Sequence, residues 1–247
     1  MIAAAELKAV AQAAGADRVG IASMDRFDGA PPELDPRRIF PDAQSVIVTA
    51  VRIRRGYFRA MEEGALWQTP GRWLTDFDAL IRFIERQGYE CVPYAPVDAP
   101  RMPRRPVRAG LCAPNTVRLS LEFAAVAAGL GEIGHHGLFM TPSFGIRQAL
   151  GLLITDMPLD PTPLDGVPVC DHCLECVRRC PLQAISAEAE GGLAIGGRAR
   201  KVARINAEAC RACPNGAAGD SKHFAGAEEL PVVVEHNQAK GDSRNRF

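Results

Sequence analysis

A run of four cysteines in the last third of the chain has the residue types and spacing to do redox chemistry. It reads CDHCLECVRRCP over residues 170–181, which is the pattern C-x2-C-x2-C-x3-C-P. This pattern is typical of bacterial ferredoxin loops, whose thiolates bind [4Fe–4S] clusters. A zinc site would need a matching second pair of ligands. The run therefore predicts iron–sulfur ligation by Cys170, Cys173, Cys176 and Cys180.

Two more cysteines, Cys210 and Cys213, form a shorter motif that ends in a proline. Each [4Fe–4S] cluster takes four thiolates, so the six cysteines of this region cannot complete two clusters. In two-cluster ferredoxins the last cysteine of one motif ligates the other cluster, which would join Cys213 to the first three cysteines of the run. Cys180 and Cys210 would then belong to a second, incomplete cluster. Cys112 or a non-cysteine ligand would complete it, or it would not form. The count favours one cluster and leaves a second one open.

The composition is that of an ordinary globular protein, with 247 residues, of which 47% are hydrophobic and 23% charged. Lys+Arg and Asp+Glu both total 29, and the resulting net charge of zero argues against a broad nucleic-acid-binding surface. No apolar run approaches the roughly 20 residues of a membrane span, and the N-terminus does not resemble a secretory signal. Eight cysteines suit metal ligation in a reducing compartment. We therefore expect a cytoplasmic protein without a membrane partner.

Apolar periodicity predicts the elements that must position these thiols. Helices are expected at residues 3–15, 73–87, 117–129 and 144–150, strands at 18–22, 45–51, 89–94 and 151–156, and a mobile loop at 191–197. Residues 129–134 satisfy G-x-G-x-x-G, but they follow a predicted helix, whereas the dinucleotide fingerprint follows a strand. The dinucleotide interpretation is therefore rejected. The glycines still allow the backbone to approach a flat or bulky ligand.

Residues 128–145 and 153–159, together with the cysteine run, resemble the shared core of two corrinoid-dependent iron–sulfur groups. These groups are the reductive dehalogenases and the epoxyqueuosine reductases, and the resemblance covers about residues 6–186. It implies an α+β fold in which a nitroreductase-like, corrinoid-binding domain occupies residues 1–160. A ferredoxin-like iron–sulfur module would follow at 161–220, and a C-terminal tail at 221–247.

The same resemblance implies that electrons pass from a [4Fe–4S] cluster to a cobalamin, which reduces a small organic substrate. The implied electron donor is a ferredoxin or flavodoxin. The residues expected to line the corrinoid are Gly131, Gly134, His135, His136, Gly137, Thr141, Ser143 and Gly145. The two histidines are also candidates for an axial cobalt ligand or a proton donor, although loop histidines beside glycine usually face solvent or bond to backbone. Tyr57 and Tyr94 are the candidate proton donors of a reductase.

The sequence also departs from these groups. Epoxyqueuosine reductases carry an Arg-Asp-Tyr-His stretch, with a proton-donating aspartate, after the second core strand. Residues 54–59 read RRGYFR here, without that acid, and no tRNA-binding helical repeat follows the cysteines. We therefore expect that tRNA is not a partner, and whether the chain is an enzyme stays open. The alternatives are a ferredoxin-like electron-transfer protein without a corrinoid and a reductase that binds FMN.

Overall fold

The computed structural model describes residues 4–56, 75–94, 119–164, 168–195 and 198–211. Tyr57, Cys112, Cys213 and the predicted tail at 221–247 lie outside the described residues. The side chains of Glu33, Arg211 and residues 190–200 are likewise outside the description.

The described part of the chain is a mixed helix-and-sheet structure. Its helices are α1 (Ala4–Ala13), α2 (Phe77–Arg86), α3 (Leu121–Ala127), α4 (Glu175–Arg179) and α5 (Ala207–Arg211). Its strands are β1 (Arg18–Ser23), β2 (Ser45–Arg52), β3 (Cys91–Tyr94), β4 (Glu132–Ile133), β5 (Phe139–Met140), β6 (Gln148–Thr155), β7 (Ile185–Ile195) and β8 (Arg198–Ile205). Three short 3-10 turns, Met24–Phe27, Pro32–Leu34 and Pro36–Arg38, connect β1 to β2. In these ranges no helix has both the length and the apolar character that crossing a bilayer requires.

The central sheet has four antiparallel strands in the order β1-β2-β6-β3. Its two middle strands are rich in β-branched and other apolar residues, which pack well on a buried pleated surface. Successive residues point to opposite faces, so Leu152 packs with Phe123 of α3 while Leu153 packs with Leu7 of α1 and Leu80 of α2. The sheet is therefore covered by α1 and α2 on one face and by α3 on the other.

Two expectations about local structure are wrong. The helix expected at 144–150 is absent: residues 144–147 form a turn, and residues 148–150 begin β6, because pairing with β2 places Leu150 opposite Ala50 inside the sheet. Residues 191–195, expected to be a loop, are strand residues of the β7–β8 hairpin and pair with residues 198–202. In both segments the backbone hydrogen bonds of a partner strand overrode the local sequence preference.

The segment between α3 and β6 forms the small β4–β5 hairpin. A side chain at Gly131 would overlap the carbonyl oxygen of Met140 on the paired strand, so only glycine lets the two strands approach this closely. The G-x-G-x-x-G segment therefore follows a helix, as expected, and builds a hairpin. This hairpin lies beside the cysteine run and positions the residues of the candidate site.

Candidate functional site

The cysteine run is a tightly curled loop that leads into α4. Three residues in and just after it have left-handed backbone without being glycine: His172 (φ 56°), Leu174 (φ 59°) and Gln183 (φ 49°). Such conformations cost about 1–3 kcal/mol each and tend to occur at functional sites. The loop is also braced locally, because Asp171 Oδ1 accepts the backbone N–H of Cys173 at 3.1 Å and the Arg178 guanidinium donates to the Cys173 carbonyl at 2.7 Å. These bonds thus hold the run in a backbone conformation that is uncommon in loops.

Two thiol sulfurs of the run accept backbone hydrogen bonds. The His135 N–H donates to Cys170 Sγ at 3.4 Å, and the Ala184 N–H donates to Cys180 Sγ at 3.2 Å. Cys170 and Cys180 are half-buried, as is Cys176, whereas Cys173 is exposed. Donors aimed at sulfur stabilise negative charge on it, and such bonds tune iron–sulfur clusters. These two thiols therefore lie in surroundings suited to thiolate ligands.

The thiols of the run also affect one another electrostatically. Burial raises the pKa of the Cys176 thiol, the Val177 N–H opposes this, and the neighbouring Cys170 and Cys173 raise the pKa further. A bound cation would favour the thiolate form that burial disfavours. Among the described residues, however, no group of three or more His, Cys, Asp or Glu side chains is close enough to hold a metal ion. The fit of the run to a cluster therefore rests on its donor set and its backbone donors.

Cys210, of the second motif, is exposed on α5. Its backbone N–H bonds to the Asn206 carbonyl at 2.9 Å, and the Asn206 N–H bonds to the Ala184 carbonyl at 2.8 Å. The β7–β8 hairpin thus returns the chain to the end of the first motif, at Ala184, before the second motif starts. Whether Cys213 is a ligand stays a prediction, since it lies outside the described residues.

His135 lies where the β4–β5 hairpin, the cysteine run and the β7–β8 hairpin meet. Its side chain is 3% exposed, its Nε2 is 2.9 Å from the Ser186 carbonyl oxygen, and its own carbonyl accepts the Ala203 N–H at 2.9 Å. Its ring stands edge-on to that of His172, with 6.1 Å between centroids. The ring therefore bonds to backbone, one of the two alternatives that the sequence left for a loop histidine.

Glu132 is a functional candidate that sequence reasoning missed. Its side chain is 5% exposed, and its Oε1 accepts the backbone N–H groups of Val169 and Cys170, the latter at 2.6 Å. A carboxylate that accepts two backbone donors is a strong, charge-assisted anchor. Glu132 therefore ties the start of the cysteine run to the hairpin. The signal in the sequence was a lone acid between glycines in an otherwise apolar segment.

The predicted corrinoid-lining glycines fall into two classes. At Gly134 an added Cβ would lie 2.7 Å from Met140 Sδ, so this position, like Gly131, is filled by the hairpin itself. At Gly137 (φ 79°) and Gly145 (φ 58°) an added Cβ would meet nothing within 4 Å. The neighbouring Leu138 and Ile146 are 52% and 40% exposed, large apolar side chains at the surface. Gly137 and Gly145 thus have open space where a side chain would lie, whereas Gly131 and Gly134 do not.

The polar residues predicted for this loop have partners within the protein. The Thr141 hydroxyl donates to Gln148 Oε1 at 2.8 Å and accepts the Phe144 N–H at 3.1 Å. Ser143 accepts a hydrogen bond from the Arg18 guanidinium. His136 Nδ1 accepts the Leu138 N–H at 3.0 Å, and burial, followed by the nearby His135, lowers the pKa of His136. These side chains shape the loop, and their contact with a cofactor stays a prediction.

Of the two candidate proton donors, the structure describes Tyr94. It ends β3, pairs with Leu152 in the sheet register, and packs half-buried against the apolar cluster on the α3 face. Its catalytic role stays a prediction, as does that of Tyr57.

Comparison with known sequences finds relatives of two kinds. A tetrachloroethene reductive dehalogenase of Sulfurospirillum multivorans is 31% identical over 164 residues, which is 63% of this chain and 29% of the relative. An epoxyqueuosine reductase of Staphylococcus aureus is 28% identical over 167 residues, covering 61% of this chain and 38% of the relative. No model of a known protein family matches the chain. The chain spans less than two fifths of the length of these relatives.

Solved structures of both kinds share the fold. A catabolic reductive dehalogenase superposes with a TM-score of 0.57 at 16% identity, covering 97% of this chain and 36% of its own. A crystal structure of epoxyqueuosine reductase gives a TM-score of 0.53 at 18% identity, covering 83% and 55%. These matches confirm the mixed helix-and-sheet fold.

The comparisons overturn one expectation and confirm another. The expectation that tRNA is not a partner is wrong: the relatives include epoxyqueuosine reductases, one of which is solved with an epoxyqueuosine-modified tRNA-Tyr stem loop and shares this fold with a TM-score of 0.51. The sequence resemblance itself is confirmed. The chain is a relative of the reductive dehalogenases and the epoxyqueuosine reductases, both of which are oxidoreductases.

Proposed function

We propose that this chain is an iron–sulfur oxidoreductase that passes electrons from a [4Fe–4S] cluster to a corrinoid, which reduces the substrate. Residues 1–160 would form the nitroreductase-like, corrinoid-binding domain, and residues 161–220 the ferredoxin-like module. The relatives are oxidoreductases, and B12-dependent dehalogenation is the reaction of one reductive dehalogenase that shares the fold.

The observation that carries this proposal is the pair of backbone N–H donors aimed at Cys170 Sγ and Cys180 Sγ. Cys170, Cys173 and Cys176 would hold the cluster with Cys213 or Cys180 as the fourth ligand. The cluster would supply one-electron transfer. The protein's part is to hold the thiols in the curled loop and to stabilise their charge through these donors.

The corrinoid part of the proposal is supported by two open positions of the loop. Backbone that is bare at Gly137 and Gly145, beside the exposed Leu138 and Ile146, suits the approach of a large, flat, partly apolar ligand. These four residues would hold it, and the cobalt would supply the strongly reducing centre. Gly131 and Gly134 would act indirectly, by letting the β4–β5 hairpin close.

Anaerobic reconstitution of the purified chain tests both parts. We expect about four irons per chain for one cluster, an iron–sulfur absorption band, and a corrinoid spectrum after cobalamin is added. The Cys176→Ala variant should lose the iron, whereas Cys91→Ala, which removes a thiol on β3 far along the chain from the run, should keep it. A wild-type chain without iron refutes the cluster. A chain that holds iron but neither carries nor binds cobalamin refutes the corrinoid, and a flavin spectrum would establish the FMN alternative instead.

A second candidate substrate is a tRNA, and an arginine-rich end of the sheet favours it. Five exposed arginines lie on β1, on β2 and its extension, and just before β6: Arg18, Arg52, Arg54, Arg55 and Arg147. The Ile53 N–H bonds to the Arg147 carbonyl at 3.1 Å, and the Arg52 guanidinium lies 6.0 Å from the Phe144 ring centroid. Within the described ranges, the guanidinium groups of Arg54 and Arg55 form no ion pair. Basic groups beside an aromatic ring suit a phosphate backbone with unstacked bases.

Titration with a tRNA anticodon stem loop at several salt concentrations tests this second candidate. Replacing Arg52, Arg54 and Arg55 by alanine should weaken binding and flatten the dependence of log K on log salt, because fewer counterions are released. The matched control removes two exposed arginines of α2, Arg82 and Arg86, and should change neither quantity. Equal binding by the two variants excludes a role of this arginine-rich end.

A further inference from the structure

We infer that His135 is a positioning residue, whose side chain holds its own backbone N–H against Cys170 Sγ and so raises the reduction potential of the cluster. The inference rests on the proposed function, because it assigns a role toward the cluster that Cys170 would ligate. It differs from the roles of axial ligand and proton donor considered for this histidine, since here the ring acts through a peptide group.

The geometry behind the inference is a three-point attachment of one residue. The His135 N–H reaches Cys170 Sγ at 3.4 Å, the ring Nε2 lies 2.9 Å from the Ser186 carbonyl oxygen, and the His135 carbonyl accepts the Ala203 N–H at 2.9 Å. The side chain is almost fully buried. A buried ring nitrogen and a carbonyl at this distance form a bond that is costly to leave unmade. The ring therefore helps to hold in place the residue whose N–H points at the sulfur.

The residue that carries the sulfur has a separate anchor. The backbone N–H of Cys170 bonds to the buried carboxylate of Glu132, three residues before His135 on the same hairpin. Cys170 is thus held independently of the His135 ring. The Gly134 carbonyl, which belongs to the same peptide group as the His135 N–H, accepts the Gly137 N–H at 2.9 Å. The turn and the bond from the ring to Ser186 therefore orient this donor together, and loss of the ring bond removes one of its two anchors.

The effect on the potential follows from charge. Reduction adds negative charge to the cluster and its ligand sulfurs, and a backbone donor stabilises the reduced state more than the oxidised state. A His135 N–H that drifts away from Cys170 Sγ should therefore make reduction less favourable. We expect the equilibrium constant for reduction to fall by about tenfold, which is about 59 mV for a one-electron couple.

The experiment compares side chains at position 135 in the anaerobically reconstituted full chain. His135→Leu keeps bulk and removes the polar contact. His135→Gln keeps an N–H donor near the position of Nε2, and His135→Asn carries the same amide on a shorter side chain. Each variant is measured for iron content, for midpoint potential, and for N–H proton couplings to the reduced cluster by pulsed electron paramagnetic resonance. Thr155→Val is the matched control, because it also removes a buried hydrogen bond from a side chain to a backbone carbonyl, that of Glu90, but on the central sheet.

The inference predicts that the leucine and asparagine variants hold about four irons with a lowered potential and lose one proton coupling. The glutamine and Thr155→Val variants should match the wild type in all three measurements. A leucine variant with full iron and an unchanged potential overturns the inference and leaves the proposed function standing. If the leucine variant takes up no iron, the comparison of His135→Gln with His135→Asn decides. In that case an asparagine variant with the wild-type potential overturns the inference. A wild-type chain that takes up no iron overturns the proposed function and the inference with it.

Discussion

Replacing the buried Glu132 by alanine should destabilise the protein strongly. The buried Glu132 carboxylate accepts the N–H groups of Val169 and Cys170 through one oxygen. A hydrogen bond to a charged group contributes about 1.5–3 kcal/mol. Two such bonds give about 3–6 kcal/mol, from which the relief of burying the charge must be subtracted. We therefore expect the free energy of unfolding to fall by about 2–4 kcal/mol.

Urea denaturation of the full-length chain without iron measures this loss directly, and amide hydrogen exchange locates it. In Glu132→Ala the amides of Val169 and Cys170 should exchange faster than in the wild type. Glu132→Gln keeps an acceptor oxygen and should lose about half as much free energy. Glu175→Ala is the matched control, because Glu175 is an exposed acid of α4 whose ion pairs with Arg178 and Arg179 are screened by solvent and should contribute little to stability.

Two outcomes would refute this reasoning. One is a Glu132→Ala variant whose free energy of unfolding lies within about 0.5 kcal/mol of the wild type, since surface substitutions already reach that range. The other is a full loss of free energy with unchanged exchange at Val169 and Cys170. The second result would place the role of Glu132 in the hairpin itself and not in its contact with the cysteine run.

Three further predictions concern the scaffold around the site. Thr49→Val should stabilise the protein by about 1 kcal/mol in urea denaturation, because the buried Thr49 hydroxyl has no hydrogen-bond partner among the described residues. The control Thr155→Val should destabilise the protein, because the Thr155 hydroxyl donates to the Glu90 carbonyl at 2.7 Å. Equal effects of the two substitutions would contradict the prediction. Gly131→Ala should lower the free energy of unfolding by several times the roughly 1 kcal/mol expected for Gly137→Ala, because only at Gly131 does the added methyl group overlap the Met140 carbonyl. Equal losses of stability in thermal denaturation would show that the hairpin can open. Burial, followed by the negative charges of Glu85 and Asp156, raises the pKa of the Cys91 thiol from 9.0 to about 11. The stability that Cys91 contributes should therefore be present below about pH 9 and lost as the pH rises through 11. The free energy of unfolding of Cys91→Ala should depend less on pH over this range than that of the wild type, and an unchanged pH dependence would refute the assignment.

Local sequence patterns were sufficient to predict the elements in which apolar residues recur with the period of a strand or of a helix. The apolar run at 45–51 became the middle strand β2, and the amphipathic segment at 73–87 contains α2. The cysteine spacing and the core segments at 128–145 and 153–159 led to the relatives that the comparisons found. Periodicity failed at Gln148–Leu150 and at residues 191–195, where pairing with a distant strand decided the conformation.

The expectation about tRNA failed for a different reason. It rested on the acid that residues 54–59 lack and on the expected lack of a tRNA-binding helical repeat after the cysteines, and the net charge of zero argued in the same direction. Net charge is a sum over the whole surface, whereas binding depends on its distribution. Sheet formation brings Arg18, Arg52 and Arg147 to one end of the sheet, although these residues are far apart in the sequence.

The sequence by itself determined the donor chemistry of this protein, because thiol number and spacing are local properties that need no fold to be read. Only the tertiary structure decided what surrounds those thiols. The roles of Glu132 and His135 depend on bonds to Cys170 and Ser186, whose partners lie 35 to 51 residues apart in the sequence. No local pattern encodes which buried donor will meet which acceptor. Likewise, Gly131, Gly134, Gly137 and Gly145 look alike in the sequence, and only packing separates the two that close a hairpin from the two that face open space.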